Sequence, residues 1–343
     1  MKRWYLYPFS LIYHLVTAIR NLLYNWGILS STKFRTPIIG VGNLSVGGSG
    51  KSPMVMYLAD YLSKNYRTGV LSRGYGRMTK GYLIANYNSN YKTVGDEAMQ
   101  LFERFKNRFV IGVCEDRVAG AKKMIEDMSL DVMVLDDSYQ HRAIKPGFNI
   151  LLTDYHDPYF KDFLLPAGDL RESRSGTIRA DIIVVTKCPE NLTEEKKQYY
   201  LSRIRPKSNQ KVFFSKINYD EEIFCSDLNR KLPDNNLAYY DVLLITGIAN
   251  STLFVEHVKK FAPRVKHLNY KDHHSFTQND VEQIAKEYKK MGEYKIILTT
   301  EKDYVRLKSY DYLSDKLFYL PINVEIENKE KFNQLILDYV RKN

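Results

Sequence analysis

Val41-Gly-Asn-Leu-Ser-Val-Gly-Gly-Ser-Gly-Lys-Ser52 is the stretch that decides the fold of this chain. It follows the β-branched run Pro37–Val41 and opens a helical pattern that continues to Leu62. A strand, a glycine-rich loop, Lys-Ser and a helix, in this order, favour a loop whose backbone N–H groups converge on phosphate oxygens at a helix N-terminus. The pattern G-x-x-x-x-G-K-[ST] is broken only at its first glycine, where Ser45 stands. The stretch therefore predicts a nucleotide-binding core.

The residues of this loop have separate predicted roles. Lys51 is expected to neutralise the β- and γ-phosphates of ATP, and the hydroxyl of Ser52 to ligate Mg²⁺. The predicted nucleotide contacts are Ser45, Val46, Gly47, Gly48, Ser49, Gly50, Lys51 and Ser52. A glycine-rich turn that binds nothing is the alternative, and the order of the surrounding elements disfavours it.

Two adjacent carboxylates follow an apolar strand pattern further along the chain. Asp131–Leu135 has the form of a buried strand, and Asp136 and Asp137 come directly after it. Charges at the carboxyl end of a parallel strand lie at the edge where such sheets bind ligands. We therefore predict that both aspartates hold Mg²⁺ opposite Ser52. A turn that merely begins with aspartates is the alternative.

The rest of the chain alternates short β-branched runs with helical patterns, which is typical of β/α units around a mainly parallel sheet. The predicted strands of the first part are Pro37–Val41, Thr68–Leu71, Arg108–Val113, Asp131–Leu135, Phe148–Thr153 and Asp181–Thr186. A second alternation consists of strands Asp241–Thr246, Arg264–Leu268 and Tyr294–Thr299 and of helices Ser251–Phe261 and Thr277–Lys290. We predict a P-loop NTPase-like α/β core over residues 31–209 and a second, smaller α/β domain over 210–343 that closes over the active site.

Residues 1–30 are predicted to form an N-terminal membrane-surface helix. The run Trp4–Ile19 carries no formal charge, is rich in aromatic rings and lies between Arg3 and Arg20. Its 16 residues are too few to span a bilayer, which takes about 20. Because Trp, Tyr and Arg favour the headgroup region, we expect an interfacial position. A helix packed on the protein's own core is the alternative.

The composition narrows the choice of partners. Hydrophobic residues make up 44% and charged residues 27%, as in a folded protein rather than a disordered one. A formal charge of +11 favours an acidic partner such as an anionic lipid surface or a phosphorylated molecule. No RNP-type aromatic motif, zinc-finger spacing or basic run is present, so we expect no nucleic acid partner. Three cysteines without a C-x-x-C pair fit a reducing compartment.

Seven motifs, spread over nearly the whole chain, carry a family resemblance. They are residues 41–52, Leu71–Arg77, Gly95–Ala98, Asp136–Arg142, Leu164–Glu172, Asp272–Phe276 and Thr299–Asp303. In this order they resemble the tetraacyldisaccharide 4'-kinases of lipid A biosynthesis. The resemblance implies transfer of the γ-phosphoryl group of ATP to the 4'-hydroxyl of a tetraacylated glucosamine disaccharide 1-phosphate. It also implies a peripheral enzyme on the cytoplasmic face of the bacterial inner membrane, which we expect to be a monomer.

The same resemblance assigns roles to individual residues. It makes Asp96 the candidate base for the acceptor hydroxyl and His273 its partner, next to Lys51 as the third catalytic residue. The implied substrate contacts are Arg73, Glu97, Gln140, His141 and Arg171. Because Asp96 and His273 fall in different predicted domains, we expect domain closure to bring them together.

Several alternatives stay open on the residues alone. His273 and His274 could lie in a solvated polar loop, or could ligate a metal together with Asp272. A P-loop GTPase or ATPase switch is a second class, although Thr186-Lys-Cys-Pro189 lacks the Asn-Lys-x-Asp of guanine readers. A membrane-binding module without catalysis is a third, and it would leave the paired aspartates without a purpose.

Overall fold

The computed structural model describes residues 3–220, 222–225, 231–232 and 235–343. Within these residues the strands are β1 Ile38–Asn43, β2 Thr68–Ser72, β3 Leu83–Ile84, β4 Val110–Val113, β5 Val132–Leu135, β6 Phe148–Asp154, β7 Ile182–Thr186, β8 Lys211–Tyr219, β9 Phe224–Cys225, β10 Asp241–Thr246, β11 Arg264–Asn269, β12 Lys295–Thr300, β13 Leu317–Leu320 and β14 Ile322–Ile326. The α-helices are α1 Tyr7–Asn25, α2 Lys51–Ser63, α3 Tyr91–Val94, α4 Asp96–Phe105, α5 Arg117–Met128, α6 Glu194–Ile204, α7 Thr252–Phe261, α8 Gln278–Lys289, α9 Glu301–Leu307 and α10 Lys329–Arg341. They form two β-sheets with flanking helices, so the fold is α/β as predicted.

The first sheet has nine strands in the order β14-β8-β7-β6-β1-β5-β2-β4-β3. It is parallel from β8 to β4, and only the edge strands β14 and β3 pair antiparallel. Every residue of the central strand β1 is buried, as expected where helices cover both faces of a sheet. The carboxyl ends of β1, β5 and β2 therefore meet at one edge, where sheets of this kind bind ligands.

The second sheet has the order β11-β10-β12-β13-β9, with parallel pairs except at β9. Each sheet with its flanking helices forms one unit of the fold. One cluster of buried apolar side chains reaches from Val134 in the first unit to Ile245 and Leu307 in the second. Across the same boundary, the amide of Gln100 in α4 donates to Glu301 of α9 at 3.1 Å. Burial of apolar surface thus joins the two units, and it brings the N-termini of α4 and α9 close to each other.

The sequence predicted each strand and helix of its two alternations to within two residues at either end. It named no element at several other places, among them β3, α5, α6, β13, β14 and α10, and it did not foresee that the chain returns to the first sheet. Strands β8 and β14 extend that sheet, and Phe332 of α10 is fully buried with its ring 5.2 Å from that of Phe213. The division predicted at residue 209 therefore does not follow the sheets, because apolar packing returns the C-terminus to the core.

Helix α1 lies on the first unit with much of its apolar surface exposed. Ser10 fixes one side of the helix: its hydroxyl donates to the carbonyl of Leu164 at 2.9 Å and accepts from the amide of Ala167 at 3.1 Å. The side chains in and beside this helix that are more than half exposed include Trp4, Phe9, Ile12, Leu15, Val16 and Trp26. In the described part of the chain, no helix has both the length and the hydrophobicity needed to cross a membrane.

Candidate active site

The phosphate loop joins β1 to α2 and is held from the side of β7. Gly50 has φ +83°, a left-handed conformation that glycine adopts without steric cost. The hydroxyl of Thr186 donates to the carbonyl of Ser49 at 2.9 Å, and the ammonium of Lys187 contacts the carbonyl of Gly48. The end of the neighbouring strand thus fixes the loop in place.

A second segment holds the same loop from the other side. Ser45 forms a β-bridge with Leu170, and the amide of Val46 donates to the carbonyl of Asp169 at 2.7 Å. The motif at residues 164–172 therefore adds a short strand contact to the phosphate loop. Because the amide of Val46 is engaged in this contact, phosphate binding by Val46 stays a prediction.

Two cations, Lys51 and Arg171, share the carboxylate of Asp137 at the start of α2. The ammonium of Lys51 lies 3.3 Å from Oδ1 of Asn43 and 3.7 Å from Oδ1 of Asp137. Both terminal nitrogens of Arg171 donate hydrogen bonds to Asp137, at 2.7 and 3.0 Å. Burial would raise the pKa of Asp137, but these two cations hold it well below its usual range. This carboxylate is therefore ionised beside the phosphate loop.

Asp136 has the properties expected of a divalent-cation ligand. It is 3% exposed, and among the described residues its Oδ1 has no hydrogen-bond partner. Burial, together with the charges of Glu97 and Asp137, raises the pKa of Asp136 to about 7. The hydroxyl of Ser52 donates to Glu97 at 3.4 Å at the same edge. These oxygen groups at one edge of the sheet, one of them buried without a partner, fit Mg²⁺, which takes oxygen ligands and keeps several waters.

A second acidic group, Asp157, Asp162 and Asp169, has carboxylate oxygens within 4.8 Å of one another. Both oxygens of Asp162 already accept backbone N–H groups, from Phe163 at 2.8 Å and from Asp169 at 3.0 Å. Local turn structure accounts for this group, since Asx residues commonly bond to nearby backbone. It gives no support for a metal site.

Asp96 is the first residue of α4 and lies against a loop from the second unit. It is 6% exposed, and its Oδ2 is 2.8 Å from Nδ1 of His273. Gly95 precedes it with φ +87°, and a Cβ there would lie 3.0 Å from the carbonyl oxygen of Tyr75. The motifs at 71–77 and 95–98 therefore pack backbone to backbone. This close packing fixes the start of α4 and with it the position of the Asp96 side chain.

Asp96 is ionised, as a group that accepts a proton must be. Burial would raise its pKa, but the hydrogen bond with His273 and the charge of Lys302 lower it below the usual range. His273 has φ +56°, and its amide donates to the carbonyl of Gly247 at 3.1 Å, which anchors the loop after β11. The structure thus brings together two residues that are 177 positions apart in the sequence. Domain closure as the means of doing so stays a prediction.

Two of the predicted substrate contacts lie at the phosphate loop. Glu97 accepts from the hydroxyl of Ser52, and Arg171 pairs with Asp137 beside Lys51. Gln140 supports the loop instead of projecting free, since its amide donates to the carbonyl of Asn43 and to Glu172, both at 2.9 Å.

His141 and Arg73 lie near the same edge of the first sheet. Burial, with the charge of Arg117, lowers the pKa of His141 to about 4, so this imidazole is neutral at physiological pH. Arg73 is exposed, and its charge also lowers the pKa of His141 and Arg117. Both residues are placed where they could contact a ligand, and their roles stay predictions.

Comparison with known proteins decides the family. A family model described as Tetraacyldisaccharide-1-P 4'-kinase matches residues 2–341. This chain belongs to that family. The 4'-kinase of Flavobacterium johnsoniae is 44% identical over 98% of this chain and 97% of its own length. That of Bacteroides thetaiotaomicron is 41% identical over 100% of this chain and 94% of its own.

A solved structure of the same family matches this chain over nearly its whole length. LpxK from Aquifex aeolicus in complex with ATP has a TM-score of 0.77 and 33% identity, and it matches 98% of this chain and 99% of its own. Family membership confirms the predicted resemblance and the predicted enzyme class, an ATP-dependent kinase that phosphorylates a lipid A precursor at the 4' position.

Sequence reasoning missed several residues that shape this site. They are Asn43, Arg117, Lys187 and Lys302. Asn43 stands inside the phosphate-loop motif and Lys302 inside the motif at 299–303, so both were marked by position but not by role. Arg117 carried no motif signal, and Lys187 was considered only within Thr186–Pro189, the stretch that lacks the guanine-reading pattern.

Proposed function

We propose that this chain transfers the γ-phosphoryl group of ATP to the 4'-hydroxyl of a tetraacylated glucosamine disaccharide 1-phosphate, with Asp96 as the general base. The observation that carries the proposal is a buried, ionised carboxylate bonded to His273 next to the phosphate loop. Glu97, the residue after this base, reaches the hydroxyl of Ser52 at 3.4 Å. The base and the phosphate site are therefore neighbours, as transfer between two bound substrates requires.

Asp96 accepts the proton of the 4'-hydroxyl while the hydroxyl oxygen forms a bond to the γ-phosphorus. The bond between that phosphorus and the oxygen bridging to the β-phosphate breaks, and ADP leaves with the electron pair. An alcohol is a weak nucleophile at neutral pH, and a positioned base contributes about 10²- to 10⁴-fold in rate. His273 holds the carboxylate in orientation through its hydrogen bond.

Charge cancellation is the other requirement of phosphoryl transfer. Lys51 and Arg171 both pair with Asp137, so both cations are already at the end of the loop. We propose that Lys51 binds the β- and γ-phosphates. Ser52, Asp136 and Asp137 would hold Mg²⁺, which supplies additional positive charge against the phosphates when bound.

We also propose that α1 holds the enzyme on the cytoplasmic face of the bacterial inner membrane, where an acylated acceptor is embedded. The exposed apolar side chains of α1 and the formal charge of +11 both support binding to an anionic lipid surface. Leu15→Glu with Val16→Glu should move the protein from anionic vesicles to the supernatant, whereas Tyr294→Glu, at an equally exposed aromatic, should not. Unchanged sedimentation of the double variant would reject this membrane role.

The direct test of the reaction is transfer of label from [γ-³²P]ATP. The purified protein is incubated with Mg²⁺ and the tetraacylated disaccharide 1-phosphate, and the lipid is separated by chromatography. Label at the 4' position supports the proposal. Release of phosphate without labelled lipid would instead favour an ATPase switch, and no turnover would favour a binding module.

A further inference from the structure

Lys302 contacts the proposed base and its histidine at the same time. It lies in the first turn of α9, and its side chain is 17% exposed. Its ammonium is 3.2 Å from Nε2 of His273, 3.5 Å from Oε1 of Glu97 and 3.8 Å from Oδ2 of Asp96. The imidazole of His273 therefore stands between a carboxylate at Nδ1 and an ammonium at Nε2.

The donor and acceptor properties of these groups leave one arrangement. An ammonium has only donors and an ionised carboxylate only acceptors. Nε2 of His273 must then accept from Lys302, and Nδ1 must donate its hydrogen to Asp96. A doubly protonated imidazole would point an N–H at the ammonium, which places like charges 3.2 Å apart. The neutral form with hydrogen on Nδ1 satisfies both contacts.

We propose that Lys302 is a positioning residue that fixes this tautomer of His273 and so orients the carboxylate of Asp96 toward the acceptor hydroxyl. The proposal rests on the proposed function for its kinetic consequence, but the tautomer itself can be observed without turnover.

The other groups around His273 are consistent with this assignment. Glu97 and Asp96 come from α4, Lys302 and Arg306 from α9, and Asp272 from the same loop as His273. The ring of Tyr75 lies 5.0 Å from the imidazole. The carboxylate oxygen Oδ2 of Asp272 lies 3.9 Å from Nε2 of His273. Asp272 would favour hydrogen on Nε2, but its contact is longer than the one from Lys302.

The charge state of Lys302 follows from its neighbours. Burial would lower its pKa, but the carboxylates of Glu97, Asp96 and Asp272 raise it above the usual value. The side chain is therefore an ammonium and a donor.

The position of Lys302 is not explained by the stability of its own helix. Acidic side chains are favourable in the first turn of a helix and basic ones unfavourable, because the N-terminus carries partial positive charge. Glu301 and Asp303 on either side follow that rule, whereas Lys302 does not. The contact with His273 supplies a reason for a lysine here.

The tautomer is tested by ¹⁵N NMR of the protein labelled at histidine. The seven histidines are distinguished by comparison with His273→Asn. We expect hydrogen on Nδ1 of His273 in the wild type and in Lys302→Arg, and a shift toward hydrogen on Nε2 in Lys302→Met. Lys308→Met, which removes a lysine that pairs with Glu103 at the other end of α9, should leave the spectrum of His273 unchanged. Hydrogen on Nε2 in the wild type would overturn the proposal whether or not any variant folds.

Kinetics with the lipid acceptor provide the second readout. Lys302→Met should lower kcat by about 10- to 100-fold and leave KM for ATP within about twofold, because base orientation affects the chemical step. Lys302→Arg should recover part of the loss. A wild type that transfers label and a folded Lys302→Met that transfers it equally fast would overturn the positioning role. A wild type that transfers no label would instead refute the proposed function, and the tautomer measurement would still stand.

Discussion

The phosphate loop and the His273–Lys302 side of the site are built in different ways. The loop is one continuous stretch, residues 41–52, whose proposed ligand groups are mostly backbone amides at the start of one helix. The other side combines single side chains from α4, from the loop after β11 and from α9. The first is therefore a local structure, whereas the second exists only because α4 packs against α9.

This difference has a functional consequence. A site made by one loop should bind ATP independently of the second unit. A site made by side chains from both units should determine the chemical step without changing affinity for ATP. Substitutions on the two sides should therefore separate binding from turnover.

The largest effect is expected at the carboxylate of the His273–Lys302 side. Asp96→Asn keeps the shape of the side chain but cannot take up the hydroxyl proton, so kcat should fall about 10²- to 10⁴-fold. Affinity for ATP, measured by calorimetry, should stay within about twofold, since Asp96 does not belong to the loop. A folded Asp96→Asn with nearly full turnover would remove this residue from the base role.

Lys51→Met tests the phosphate loop, where affinity for ATP should change. We expect affinity for Mg-ATP to fall about 10- to 100-fold, because a charge-assisted contact to phosphate is worth about 1.5 to 3 kcal/mol. Lys64→Met, at the exposed other end of α2, is the matched control and should bind ATP as the wild type does. Equal affinity of the two variants would show that Lys51 makes no contact with phosphate.

The smallest expected effect concerns the stability of the metal-free protein. The pKa of Asp136 is raised to about 7, so its ionised form is disfavoured in the folded state. The resulting destabilisation is absent below the unfolded pKa near 3.8, grows as pH rises and is complete above about 7. Asp136→Asn should therefore stabilise the metal-free protein at pH 8 by about 1 to 3 kcal/mol, and much less at pH 4.5.

Denaturant unfolding with EDTA at the two pH values measures this difference. Added Mg²⁺ should stabilise the wild type at pH 8 more than Asp136→Asn. An Asn variant that is no more stable than the wild type at pH 8 would contradict the conclusion that the folded state disfavours the ionised form of Asp136.

The same contrast explains how much could be read from the sequence. The phosphate loop, the strands around it and the aspartates after β5 were all predicted, because their spacing carries the physical requirement. Asp96 and His273 were named only through family resemblance, since no local pattern links residues so far apart. The resemblance also named Gln140, which the structure shows bonded to Asn43 and Glu172 beneath the loop.

Long-range packing was beyond the sequence. Nothing in residues 322–341 predicted that β14 would pair with β8, or that Phe332 would be buried against Phe213. The role of Lys302 was missed for a related reason: a lysine in a helix start shows its contact with His273 only once α4 and α9 are placed side by side.

A double-mutant cycle on kcat, with Asp96→Asn, His273→Ala and the variant that carries both, measures whether the second unit acts through Asp96. If the two residues act as one unit across the boundary between the sheets, the double variant should be about as slow as Asp96→Asn alone. Losses that multiply, as for independent sites, would contradict the claim that the second unit acts through Asp96.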